Sequence, residues 1–111
     1  MGRTNYLGEL EELILTMVLI VGDEAYGNTI VKAIKEHQDR DINLSTVHIT
    51  LYRLEEKGYL ESSMGGATKA RGGRKKRYFK ITNAGKALLQ DMKDARMNLW
   101  KLTSQLQFNR I

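Results

Sequence analysis

The chain of 111 residues has no cysteine and no proline. Without a thiol there is no disulfide, no thiolate metal site and no cysteine nucleophile. Without proline, long unbroken helices are permitted. Histidine is scarce: His37 and His48 are the only two, and their spacing is not that of a metal-binding pair. Long apolar runs are also missing. Leu13 to Val21 is apolar except for Thr16, well short of the roughly 20 residues that span a bilayer. The start of the chain lacks a basic region leading into an apolar core and a small-residue cleavage site. These absences predict a cytoplasmic location with no membrane partner.

One sign of charge is missing from a long segment. No acidic residue lies between Glu61 and Asp91, while Lys69, Arg71, Arg74, Lys75, Lys76, Arg77 and Lys80 fall within it. The whole chain carries a formal net charge of +5 and a pI of about 9.6. A basic balance permits a nucleic-acid partner without proving one. Local crowding says more, because like charges repel. Such a cluster is stabilised by a polyanion that releases counterions on binding. The bland alternative is a solvated charge run. Otherwise 28% charged and 41% hydrophobic residues are ordinary for a globular chain, and this length fits one domain.

Leu10, Leu13, Ile14, Met17, Val18 and Val21 recur at steps of three and four, the mark of one buried helix face. Glu9, Glu11 and Glu12 fall in the first turn, where the helix dipole favours negative charge, and Gly22-Asp23 ends the helix. A second, shorter helix is expected from about Tyr26 to His37, with Ile30, Val31 and Ile34 inward. Asp39-Arg40-Asp41 reads as a polar turn.

The third helix is expected from Asn43 to a stop at Gly58. Either Asn43 or Ser45 can cap it. Leu44, Val47, Leu51 and Leu54 share one face and are expected to be buried. The opposite face carries Ser45, Thr46, His48, Ile49, Tyr52 and Arg53. Hydroxyls, an imidazole and a guanidinium can hydrogen-bond bases or phosphates, and Ile49 can touch a thymine methyl. An ordinary exposed face is the alternative.

Two strands follow, Leu60 to Met64 and Lys76 to Ile81, with Phe79 and Ile81 to one side and Tyr78 and Lys80 to the other. Gly65-Gly66 and Gly72-Gly73 between them predict a hairpin with a glycine-rich basic tip. They do not form a phosphate loop, since Gly85-Lys86 is followed by Ala87 and no Gly-x4-Gly-Lys-Ser/Thr occurs. No cofactor is expected.

Three segments together resemble the PadR family of bacterial winged-helix regulators: Ala25-Tyr26-Gly27, the run STVHITLYRLEEKGYLES from Ser45 to Ser62, and GGRKKRYFKITNAGKALL from Gly72 to Leu89. The resemblance covers about Leu7 to Leu102. It implies a homodimeric repressor on double-stranded DNA with a near-palindromic operator. Thr46, His48 and Arg53 fall on the family's reading helix, and Arg74 and Lys76 on its wing. One departure is His48, where family members commonly carry tyrosine. The implied fold is mainly α with a small β-hairpin: a winged helix-turn-helix domain over residues 1–82 and a dimerisation helix over 83–111.

The last helix, capped by Thr82 or Asn83, carries Leu88, Met92, Ala95, Leu99, Leu102 and Leu106 at alternating steps of four and three. That is a heptad seam, which favours pairing with a second copy. Leu88 is expected inward to its own domain and Leu99 to Leu106 across a dimer interface. Trp100, with Met97 nearby, is an interface anchor or the lining of a site for a small aromatic effector, as the resemblance implies for short family members. The competing function is a protein–protein adaptor that keeps the fold without specific DNA binding. An enzyme is disfavoured, because no cluster of acid–base or nucleophilic residues stands out.

Overall fold

The periodic apolar positions fold as helices around one shared core. The computed structural model describes residues 6–65, 75–104 and 106. Helix α1 spans Glu9–Val21, and a short 3-10 turn, Gly22–Glu24, follows it. Helices α2 and α3 span Gly27–Gln38 and Leu44–Glu56. Strands β1, Leu60–Gly65, and β2, Lys76–Ile81, pair antiparallel, with Leu60 opposite Ile81 and Gly65 opposite Lys76. Helix α4, Asn83–Thr103, completes the chain. This is a winged helix-turn-helix with a long C-terminal helix.

The core joins every element. Ile14, Leu15, Met17 and Val18 of α1 meet Ile30 and Ile34 of α2, Val47, Leu51 and Leu54 of α3, Leu60, Phe79 and Ile81 of the hairpin, and Leu88 and Met92 of α4. Leu51 is fully buried, so truncation to alanine costs about 2–5 kcal/mol. Leu44 departs from the expected inward set and is exposed. As the first residue of α3 it lies past the edge of the core, beside Gly27 at the start of α2.

Asn43 is the cap of α3: its Oδ1 accepts from the Thr46 N–H at 2.8 Å. Gly58 has φ +87°, a left-handed turn that sends the chain from α3 into β1. At the other end of the hairpin, Thr82 Oγ1 accepts from the Gly85 N–H at 3.0 Å and donates to the Gly58 carbonyl at 2.8 Å. One hydroxyl thus caps α4 and ties it to the turn before β1. Gly85 lies against the Tyr59 carbonyl, with no room for a Cβ.

The first-turn glutamates of α1 do more than meet a helix dipole. Arg40 donates to both carboxylate oxygens of Glu9, at 2.7 and 3.2 Å. Lys57 Nζ donates to Glu11 at 2.9 and 3.0 Å. Arg96 of α4 forms a two-pronged pair with Glu12, both bonds at 3.1 Å. Three cations from three other parts of the chain therefore converge on one helical turn. The Arg40 hydrogen bonds hold the Glu9 carboxyl below the usual carboxylate range.

The heptad of α4 divides. Leu88 and Met92 are buried in the protomer's own core. Leu88 lies inward, in line with the expectation for it, and Met92 departs from the heptad seam: the root of α4 packs on the rest of the chain, which takes both side chains off the exposed stripe. Ala95 is half-buried, and Leu99, Leu102 and Leu106 are 66%, 70% and 65% exposed. No single described helix is long and apolar enough to cross a membrane.

Candidate nucleic-acid interface

Helix α3 turns one side to the core and the other outward. Ser45, Ile49, Tyr52 and Arg53 are exposed, and Thr46 is half-buried at the capped first turn. His48 is half-buried. Its ring lies against the start of α2, where a Cβ on Gly27 would overlap Nε2 and Cδ2 of the imidazole. Glycine at position 27 is therefore what admits His48 to the notch between α2 and α3. The His48 ring stands 6.3 Å from that of Tyr52.

The wing grows from a built root. The Phe79 N–H donates to the Ala25 carbonyl at 2.8 Å, so the extended residues before α2 lie alongside β2. Tyr26 meets Tyr78 edge to face at 5.3 Å, and Lys76 Nζ sits 4.8 Å above the Tyr26 ring. These contacts explain the Ala-Tyr-Gly segment: a buried alanine at the wing root, a ring under a wing cation, and a glycine that seats a histidine.

Strand alternation sends Lys76 and Arg77 to opposite faces. Arg77 faces α3. Its Nη1 donates to Ser62 Oγ at 2.9 Å, and Ser62 Oγ donates to a Glu55 carboxylate oxygen at 2.7 Å. The Arg77 guanidinium lies 5.8 Å from the Tyr52 ring, and Tyr52 meets Phe79 at 5.8 Å. Glu55, Ser62, Tyr26 and Tyr78 are not among the site residues read from the sequence; each acts through a partner distant in the chain. Lys75 is exposed at the tip end of the paired strands, next to the Gly65–Lys76 pair. Lys69, Arg71 and Arg74 lie outside the described residues.

The outward face of α3 and the root of the wing thus adjoin on one side of the molecule. Hydroxyl, guanidinium and ammonium donors stand there beside apolar Ile49, 57% exposed, and Tyr52, 47% exposed. Such a surface can donate to phosphates and touch base edges.

A second apolar surface follows α4. Met97, Leu99, Trp100 and Leu102 are exposed, as are Leu19 and Ile20 of α1. A groove of about 480 Å³ between α1 and α4 has Leu19, Leu89 and Met97 in its lining and Lys86, Lys93 and Arg96 around them. Trp100 does not line it. Leu19 and Ile20 are missed by the periodicity, although they extend the apolar run past one helix face.

Residues 15–91 match the model of the transcriptional regulator PadR-like family. Among solved structures, a PadR family regulator from Clostridium difficile R20291 is similar at 28% identity. The match covers 88% of this chain and 97% of that one, with a TM-score of 0.72. A transcriptional regulator from Clostridium thermocellum is similar at 26% identity over 87% of this chain and 88% of that one, with a TM-score of 0.67. Bacillus subtilis PadR in complex with operator DNA shares the fold at 20% identity. That match covers 88% of this chain and 61% of that one, with a TM-score of 0.65. No curated protein matches the chain. A family model that spans residues 15–91, on a winged helix-turn-helix fold, has one meaning: the chain belongs to the PadR-like family of transcriptional regulators.

Proposed function

We propose that the protein is a homodimeric repressor that reads a near-palindromic operator. The observation that carries this reading is the shared side of α3 and the wing root, joined through Tyr52, Phe79 and Arg77. The solved complex of Bacillus subtilis PadR with operator DNA supports it by likeness of fold. Two copies of α3 enter successive major grooves, about 34 Å apart. Ser45, Thr46, Ile49, Tyr52 and Arg53 meet base edges and nearby phosphates, with His48 at the edge of that set. Lys69, Arg71, Arg74, Lys75 and Lys76 supply sequence-independent affinity through the backbone.

The copies pair through the exposed half of α4, with Leu99, Leu102 and Leu106 at the seam and Ala95 at its margin. Trp100 and Met97 lie beside that seam, where a small planar aromatic effector fits between subunits. Such a ligand changes the spacing of the two reading helices, and operator affinity with it.

The test is duplex binding over a range of salt. A repressor of this kind binds random duplex at low salt and a selected inverted repeat at higher salt, with log K falling by about 0.9 per log unit of salt for each phosphate contact. A protein–protein adaptor binds neither, and that result ends the reading.

A further inference from the structure

Arg77 stands in the densest run of cations in the chain, which suggests a phosphate ligand. Its surroundings suggest another task. It lies on the face of β2 that turns to α3, behind the Tyr52 ring. Its guanidinium reaches Ser62 of β1, and Ser62 reaches Glu55 of α3. The chain of bonds runs from one strand of the hairpin to the other and on to the reading helix. A carboxylate this close to a DNA-facing surface repels phosphate unless a cation offsets it, and Arg77 stands one hydroxyl away.

We propose that Arg77 is a positioning residue. Through Ser62 and Glu55, and across the Tyr52 ring, it fixes the angle between wing and reading helix so that both engage one duplex, and it does not itself hold a phosphate. The inference rests on the DNA-binding reading above. Lys76 is set by its own ring on the opposite face, so the two neighbouring cations orient different sides of the same wing. The Arg77 side chain and its bond to Ser62 are exposed, while Ser62 and Glu55 are half-buried, and an exposed polar link of the Arg77 kind adds little to folding. The effect of the link is on geometry, and it emerges when a rigid ligand must touch helix and wing together.

The experiment measures the affinity of the full chain for a duplex selected by the wild-type protein from a random library, across a salt series. For Arg77→Ala the expected result is a roughly three- to tenfold loss of affinity, the size of one net hydrogen bond, with an unchanged salt slope and unchanged thermal midpoint. Ser62→Ala, which alters no charge, reproduces the loss. The double variant is no weaker than either single one, because both changes cut the same link. Arg77→Lys keeps the charge, loses the planar fork and does not restore affinity. A salt slope flattened by about 0.9 in Arg77→Ala, rescue by lysine, or a silent Ser62→Ala makes Arg77 a phosphate ligand and overturns the inference alone. A wild-type chain that selects no duplex overturns the DNA-binding reading itself.

Discussion

Gly85→Ala sets two effects of opposite sign against each other. Gly85 lies in the first turn of α4, and alanine is the better helix former by up to about 1 kcal/mol. On propensity alone the change stabilises. The packing says otherwise. The new methyl would overlap the Tyr59 carbonyl oxygen and the Ile81 side chain. That carbonyl is fixed, because it accepts from the Thr82 N–H at 3.0 Å. Moving α4 away instead strains the Thr82 cap on the Gly85 N–H, worth about 1 kcal/mol. Overpacking of this kind costs about 1–3 kcal/mol. Because the overlap is with fixed backbone, the upper part of that range applies, and after the propensity gain of up to about 1 kcal/mol the net expectation is a loss of about 1–2 kcal/mol; a domain of this size loses about 4–8 °C in its midpoint per kcal/mol. Urea and thermal unfolding followed by circular dichroism measure it, at one protein concentration throughout because association shifts the midpoint. A variant as stable as the wild type, or more so, refutes the packing of α4 on the hairpin root.

Gly27→Ala meets the movable imidazole of His48 rather than backbone, so it is expected to change stability by less than about 1 kcal/mol while altering duplex affinity, which a gel-shift titration reads. Leu99→Glu and Leu102→Glu fall on the exposed half of α4; they are expected to leave a folded monomer in analytical ultracentrifugation, whereas Leu88→Glu, in the core, unfolds the chain. Glu9 has its carboxyl pKa held down by Arg40 in the folded chain. Its contribution is therefore present above the unfolded-state carboxyl pKa and is lost as pH falls through the depressed value. Glu9→Gln is expected to lose that small, solvent-screened contribution at neutral pH and to converge with the wild type in acid, so the acid limb of its urea-unfolding stability profile is flatter.

Much of this architecture is legible in the residues, because helix and strand periods are local. The faces of α1 and α3 and the strand Lys76 to Ile81 follow from spacing. What spacing misses is the partner at a distance. The first-turn glutamates fit a helix dipole, yet their cations lie 31, 46 and 84 positions away. Nothing local marks Gly27 as the seat of His48, or Ser62 as the bridge from Arg77 to Glu55. The heptad of α4 is continuous in sequence; Leu88 reads as inward from its place at the start of the helix, and the fold shows that Met92 is used up in the same core.

That division makes α4 a lever. Its 21 residues extend about 30 Å, with the near end clamped in the body that carries the reading helix and the far end free for a second copy. If two such levers cross near their tips, a tilt of about 10° at the crossing swings each body by roughly 5 Å, more than the 3.4 Å rise of one base step. On the proposed dimer, a planar molecule wedged beside Trp100 would need to open such a crossing only slightly to put both third helices out of register with successive grooves.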